Sequence, residues 1–171
     1  MRKILLTAFI IMMTLFPLSA ADIAISGGTF TFGSSVPSVD EAMYANIGIT
    51  AGLTERLEGE LSLVSEITPV FAGNLLVKSS VSYALLSPLY RQGDFVPMYV
   101  NSFIGIGIMG KVPSFDMWGP FITITPLTSG GPQFLRKEKV ASCSLYYDIP
   151  SASFGFFFQL FALDVYVTGR T

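Results

Sequence analysis

Histidine is absent from this sequence, and cysteine occurs only once, at Cys143. Without histidine the chain cannot build a Ser-His-Asp triad, a Cys-His pair or a histidine general base. One cysteine cannot form an intrachain disulfide, and it cannot by itself supply the ligands of a zinc site. The sequence therefore predicts no catalytic residue, no metal site, no cofactor and no enzymatic activity.

Charge is also scarce. Charged residues make up 13% of the chain and hydrophobic residues 51%, whereas charged residues are about a quarter of an ordinary soluble domain. The net charge of −2 and the lack of a basic block argue against a nucleic-acid partner. Beyond residue 20 there is no run of about 18 apolar residues, so no transmembrane helix is predicted.

Residues 1–20 have the layout of a secretory signal peptide. A basic start, Met1 to Lys3, precedes the apolar run 4–18 and the small residues 19–21. The apolar run is shorter than the about 20 residues that a transmembrane helix needs. We therefore expect cleavage rather than an uncleaved anchor, which leaves 21–171 as a single mature domain.

Apolar residues alternate with polar or small ones throughout this mature domain, a period that is typical of β-strands. In segment 42–53, for example, Ile47 and Ile49 share one face, and Asn46 and Thr50 share the other. The alternation predicts eight strands, at 22–33, 42–53, 57–68, 73–86, 95–109, 120–128, 136–148 and 153–167.

This pattern favours one fold. An exported, apolar chain without spanning helices can pair all of its backbone groups in lipid by closing a sheet on itself. Eight is an even number, and each strand is near or above the about 9–11 residues that cross a bilayer at a tilt. We therefore expect an all-β fold, a closed antiparallel up-and-down transmembrane β-barrel in the outer membrane. A phase shift at Gly27-Gly28 predicts a bulge in the first strand.

The hairpin 52–60 (GLTERLEGE), together with the signal peptide and the eight alternating segments, resembles small outer-membrane barrels of the OmpX/OmpW type. The later run from 119–121 (GPF) through 146–150 (YYDIP) is similar to uncharacterised spirochaete outer-membrane proteins. The resemblance covers the mature chain as an architecture. It implies outer-membrane lipids and the outer-membrane assembly machinery as partners.

Charged residues of the central strands are candidates for the barrel interior. Glu58 and Glu60 are two apart on one strand, so both side chains point to the same face. Arg56 and Lys78 are their expected partners, because an unpaired buried charge is costly. Two carboxylates can also catalyse glycoside hydrolysis, but no cleft or aromatic platform accompanies this pair. The predicted polar cluster of the lumen consists of Asn46, Glu58, Glu60, Asn74 and Lys78.

The run Gly105 to Gly110 matches the G-x-G-x-x-G pattern of dinucleotide-binding loops. Such a loop must open a helix, but Pro113 follows within three residues and argues for a loop instead. The preferred interpretation is that these glycines lie on the inner face of a strand, where a narrow lumen has no room for larger side chains.

Aromatic residues are expected to form girdles at the membrane interface rather than a surface for ligand stacking. Cys143 is expected to face outward as a small packing residue, with a reactive thiol as the alternative. The residues assigned to girdles and lipid contact are Tyr44, Tyr83, Tyr90, Tyr99, Trp118, Tyr146, Tyr147, Phe154, Phe156, Phe157, Phe158, Phe161 and Tyr166.

Two functions fit these features. The first is a non-enzymatic outer-membrane barrel, either a narrow pore for small or apolar solutes or a structural or surface membrane protein. The alternative is a periplasmic or secreted barrel similar to lipocalins, in which the apolar face lines a pocket for a small apolar ligand. Sparse charge on the polar faces favours the membrane, because a soluble exterior carries more charged side chains.

Overall fold

A computed structural model of the chain describes residues 23–33, 43–54, 56–67, 75–86, 99–131 and 136–166. Side chains are described for residues 44–54, 56–67, 75–86, 101–128 and 139–163. The predicted signal peptide, Asn74 and Tyr90 lie outside the described residues. This part of the chain contains no helix long and apolar enough to cross a membrane.

Eight strands make up the described fold, and their antiparallel up-and-down order agrees with the all-β arrangement predicted from the sequence. The hairpin between the fifth and sixth strands is tighter than predicted, because cross-strand pairing extends both strands toward the turn at 113–117. The strands are β1 (Ile23–Gly33), β2 (Met43–Gly52), β3 (Leu57–Glu66), β4 (Leu75–Ala84), β5 (Tyr99–Val112), β6 (Trp118–Gly131), β7 (Arg136–Asp148) and β8 (Ser153–Tyr166).

Each strand pairs with the next, and β1 also pairs with β8, so that the strands follow one another around a closed barrel. We call the two ends of this barrel the upper and lower rims. The upper rim is the end at which β1, β3, β5 and β7 finish, and it includes the described turns 113–117 and 149–152. The lower rim is the end at which β2, β4 and β6 finish, and it includes the described residues 53, 54 and 56.

Side chains alternate between a buried inner face and an exposed outer face, as a pleated strand requires. In β4, Leu76, Lys78 and Ser80 are buried, whereas Leu75 and Val81 are exposed. All charged side chains described within strands share the inner-facing phase. They are Glu58, Glu60, Glu66, Lys78, Lys111, Lys139 and Asp148.

The outer face is apolar around the whole described circumference. Its described strand positions carry no charged side chain, and the few polar residues among them are mainly serines and tyrosines. The most exposed apolar side chains within the strands are Ile47, Ile49, Ile106, Ile108, Ile122, Ile124, Leu145, Phe154 and Leu160.

The alternation changes phase at one level of the barrel. Strands β6, β7 and β8 each place two consecutive side chains outward there, namely 126–127, 140–141 and 160–161. Pairing joins Leu127 to Ala141, and the next strand lies in register with this pair. Each doublet is a bulge, which lets a strand reverse its phase while its neighbours stay paired.

The bulge predicted at Gly27-Gly28 is wrong. Both glycines keep consecutive partners in β2, opposite Ile47 and Asn46. The irregularity instead lies between Thr29 and Phe30 in the pairing with β8, where the extra residue belongs to β8. A phase shift in one strand can thus reflect an insertion in its neighbour.

Apolar side chains fill the interior just below the upper rim. We call this group the upper cluster. It consists of Tyr44, Val64, Leu76, Met109, Met117, Phe121, Tyr146 and Phe157. The assignment of Tyr44, Tyr146 and Phe157 to an outer girdle is therefore wrong. Within this cluster, Phe121 and Phe157 meet edge to face with ring centroids 5.6 Å apart.

Gly105 and Gly107 lie inside strand β5 and not at the start of a helix, which supports their interpretation as inner-face glycines. A Cβ at Gly107 would lie 2.5 Å from Cζ of Phe121 and would also collide with the backbone oxygen of Ser79. The aromatic ring therefore occupies the space that a side chain at residue 107 would need.

Gly107→Ala is expected to lower the free energy of unfolding by about 1–3 kcal/mol, because overpacking forces side chains and backbone to shift. Urea titration of the refolded protein in detergent micelles measures this change. Gly59→Ala is the matched control, since a Cβ there would meet Leu53 at an ordinary 3.4 Å. Equal stability of the two variants would contradict the tight packing at Gly107.

Candidate functional site

Four charged side chains meet in the middle of the barrel, and we call them the ion cluster. Glu58 and Glu60 come from β3, Lys78 from β4 and Lys139 from β7. Lys78 Nζ lies 3.2 Å from Glu60 Oε1. Lys139 Nζ lies 3.3 Å from Glu60 Oε2 and 3.5 Å from Glu58 Oε1. Glu60 thus bridges the two lysines, and the expected pairing of Glu60 with Lys78 is present.

Burial makes this cluster different from a surface salt bridge. Its four side chains are each less than 10% exposed. Glu60 Oε1 also accepts a hydrogen bond from Ser62 Oγ at 3.1 Å. The Lys78 ammonium lies 5.7 Å from the centroid of the Phe121 ring, which links the ion cluster to the upper cluster. Two positive and two negative charges balance, as buried charges require.

Lys139 was not among the residues predicted for the lumen. Strict alternation places residue 139 on the same face as Ala141 and Cys143, which point outward. The bulge at 140–141 reverses the phase and turns Lys139 inward. The signal in the sequence is the apolar pair Val140-Ala141 between two polar residues, which breaks the period of two.

Arg56 does not join the ion cluster, so its predicted role is wrong. Its guanidinium donates hydrogen bonds to the backbone oxygens of Ala84 and Leu85, at 3.2 and 3.4 Å. These contacts tie the β2–β3 turn to the end of β4. The side chain therefore lies at the lower rim, away from the carboxylates.

Asn46 lies on the inner face of β2, as predicted, but makes no contact with the ion cluster. Neither polar atom of its side chain has a hydrogen-bond partner within the described part of the chain. Thr50 lies four residues further along the same face of β2. Its hydroxyl is also without a hydrogen-bond partner among the described residues. Both residues are buried.

Side chains also fill the interior near the lower rim. Phe103 and Ala84 are buried against each other. Asn101 is fully buried, and its side-chain oxygen accepts hydrogen bonds from the backbone NH groups of Leu86 and Ser102 at 3.0 and 2.9 Å.

The outer aromatic residues gather near the upper rim. Trp118 and Phe154 are exposed, and Tyr147 lies against Phe154 with ring centroids 4.9 Å apart. Tyr83 is exposed near the lower rim. Phe156, Phe158 and Phe161 are also exposed, in agreement with their outward assignment. The side chains of Tyr99 and Tyr166 lie outside those described.

Cys143 is exposed on the outer face, next to Leu145 of the same face. Its outward position agrees with the sequence prediction. The strand neighbours Ser142 and Ser144 point inward and are buried.

Asp148 organises the upper rim where β7 turns into β8. Its carboxylate accepts hydrogen bonds from the backbone NH of Trp118 at 3.0 Å and from that of Ser151 at 3.2 Å. In the neighbouring turn, the hydroxyl of Ser114, and to a lesser degree Lys111, holds the pKa of the Asp116 carboxyl below its usual value. The carboxylates of Asp116 and Asp148 thus accept hydrogen bonds from groups at the upper rim.

The chemistry open to the ion cluster is limited. Glu58 and Glu60 both contact Lys139, so they are placed to neutralise a lysine rather than to flank a glycosidic bond. No group of three or more potential metal-ligating side chains occurs within the described residues. The salt bridges of the cluster link β3 to β4 and to β7.

Comparison with models of protein families found no match to this chain. Comparisons with curated proteins and with solved structures likewise found no significant similarity.

Proposed function

We propose that this chain is a non-enzymatic β-barrel protein of the outer membrane, related in architecture to the OmpX/OmpW type and exported by residues 1–20. Its role is that of a structural or surface membrane protein. Its partners are the lipids around it and the machinery that assembles outer-membrane barrels.

The observation that carries this proposal is the reversed polarity of the barrel. Charged strand residues lie on the inner face, and the outer face is apolar. A protein in water has the opposite arrangement, because unpaired apolar surface is unfavourable there. Lipid chains, in contrast, favour an apolar exterior and tolerate a polar interior.

The filled interior supports a structural role over an open pore. An eight-stranded barrel has an interior just wide enough for side chains. Here the upper cluster, the ion cluster and Phe103 are all buried on the inner face. A narrow pore for small or apolar solutes would need a continuous path past these side chains.

The interior also argues against the lipocalin-like alternative. A soluble barrel that binds an apolar ligand needs an apolar pocket and a charged exterior. The middle of this barrel instead holds Glu58, Glu60, Lys78 and Lys139.

Cell fractionation tests the proposal. The full chain, expressed in a Gram-negative host, is expected in the outer-membrane fraction after density centrifugation, and detergent should be needed to release it. A chain that lacks residues 1–20 is the control and should stay in the cytoplasm. A processed protein that remains in the supernatant after membrane pelleting would overturn the outer-membrane assignment.

Conductance measurements distinguish a structural membrane protein from a narrow pore. Refolded protein in a planar bilayer is expected to give no steady ion current, because side chains fill the lumen. A reproducible single-channel current would contradict the structural role and favour the narrow pore. Refolding into the same bilayer can be verified independently by the resistance of the folded barrel to protease.

A further inference from the structure

The inner face of β2 carries polar atoms that have no hydrogen-bond partner among the residues that the structure describes. Asn46 and Thr50 are only 6% and 2% exposed. Within the described residues, Asn46 Oδ1, Asn46 Nδ2 and Thr50 Oγ1 have no hydrogen-bond partner. A buried polar group without a partner is costly, and such groups are usually satisfied by protein or by ordered water.

The residues that pair with Asn46 on the adjacent strands offer it no polar side chain. They are Gly28 on β1 and Val64 on β3. Asn46 therefore has a register partner without a side chain on one strand and an apolar register partner on the other.

Thr50 lies at the level of the ion cluster. Its register partners are Ala24 on β1 and Glu60 on β3. The carboxylate of Glu60 is already held by Lys78, Lys139 and Ser62. The Thr50 hydroxyl thus lies beside a carboxylate that is held by other groups, and it has no hydrogen-bond partner among the described residues.

We propose that the inner face of β2 is a hydration site, in which ordered water molecules bind Asn46 and Thr50 inside the barrel. One amide oxygen, one amide NH2 group and one hydroxyl offer both donors and acceptors. Water matches such a set, because one molecule donates and accepts at once.

The occupant is identified as water by charge and by size. The adjacent ion cluster contains two carboxylates and two ammonium groups, so it provides no net attraction for an anion or a cation. The interior of an eight-stranded barrel has little room for a larger guest. Only a small neutral molecule with balanced hydrogen-bonding capacity remains.

Water at this site also affects the energetics of the ion cluster. Water beside Glu60 stabilises its charge and reduces the desolvation cost of the ion cluster. Hydrated polar groups in the interior make the lumen an unfavourable path for apolar solutes. The hydration site follows from the barrel fold and does not depend on the membrane in which the barrel lies.

Nuclear magnetic resonance of the refolded, isotope-labelled full chain in detergent micelles tests the site directly. Cross-peaks from long-lived water to the side-chain amide protons of Asn46 are expected. The Asn46→Leu variant identifies these signals by their loss. Absence of the water cross-peaks in the folded wild-type protein would overturn the proposal.

Substitution of Thr50 by valine gives a second, independent readout. If water satisfies the hydroxyl, Thr50→Val should leave the unfolding equilibrium constant within about threefold of the wild type, or favour unfolding. If the hydroxyl is dry and unpaired, the same change should stabilise the protein by about tenfold or more. That stabilisation would equally overturn the hydration site.

Thr125→Val is the matched control for the same chemical change inside the barrel. Thr125 Oγ1 and Ser142 Oγ form a buried hydrogen bond of 2.7 Å. Its loss leaves Ser142 without this partner, so Thr125→Val should favour unfolding by about fivefold or more. This response shows that the assay detects a broken hydrogen bond in the lumen.

Discussion

Glu60→Gln is expected to lower the free energy of unfolding by about 3–5 kcal/mol, the range observed when one partner of a buried ion pair is removed. Glutamine keeps the size of the side chain and removes only its charge. Lys78 and Lys139 then remain buried with Glu58 as the only carboxylate of the ion cluster. Urea titration of the refolded protein in micelles or vesicles measures the loss.

Asp116→Asn is the control for this experiment. Asp116 also forms a salt bridge, to Lys111 at 3.6 Å, but its side chain is half exposed on the upper rim. Exposed pairs contribute about 0–1 kcal/mol. A loss from Glu60→Gln no larger than that from Asp116→Asn would contradict the energetic importance of burial in the ion cluster.

A double-mutant cycle measures the interaction between Glu60 and Lys78. Glu60→Gln and Lys78→Met are combined, and the coupling energy is the departure of the double variant from the sum of the single ones. We expect the double variant to be less destabilised than that sum, since each single change leaves an unpaired charge. Strict additivity would mean that the two side chains do not interact.

The sequence predicts the strands well because apolar residues alternate with polar or small ones over most of their length. In β2 and β3 the alternation runs without interruption from Tyr44 to Glu66, apart from the turn. Pairing of Glu60 with Lys78 follows from parity on adjacent antiparallel strands. Both inferences need only the period of two and the cost of buried charge.

Bulges explain most of what the sequence does not predict. Lys139 faces the lumen because two consecutive residues of β7 point outward, and this insertion is set by pairing with β6 and β8. The apolar pair Val140-Ala141 is a weak signal by itself, because a single strand does not show how its neighbours pair with it. The phase change becomes clear when the pairs at 126–127, 140–141 and 160–161 are compared across three strands.

The aromatic residues of the inner face show a second reason why the sequence does not predict the whole structure. Aromatic side chains are common on both faces of membrane barrels, so composition does not assign Tyr44, Tyr146 or Phe157 to a face. Packing decides, and a large ring fits a narrow lumen only where the facing wall is small. Phe121 lies against Gly107 in this way. Such complementarity joins residues on different strands and appears only once the register is known.

Ile47→Arg is expected to lower the free energy of unfolding in a lipid bilayer by about 2–4 kcal/mol, the cost of arginine on the lipid face near the midplane. Ile47 is 63% exposed and lies in the middle of β2, between Gly27 on β1 and Leu63 on β3. In water such an exposed position would tolerate arginine within about 0.5 kcal/mol. Urea unfolding from phosphatidylcholine vesicles measures the difference.

Leu86→Arg is the control, because Leu86 is 65% exposed but lies just beyond β4 at the lower rim. Exposure is thus matched and only the depth differs, so arginine there should cost about 0–1 kcal/mol. A soluble barrel predicts equal and small effects at both positions, since water reaches both side chains. A lipid-embedded barrel predicts a large loss at Ile47 alone. Equal stability of the two variants would mean that the apolar outer face of β2 is not in contact with lipid, whatever the packing inside.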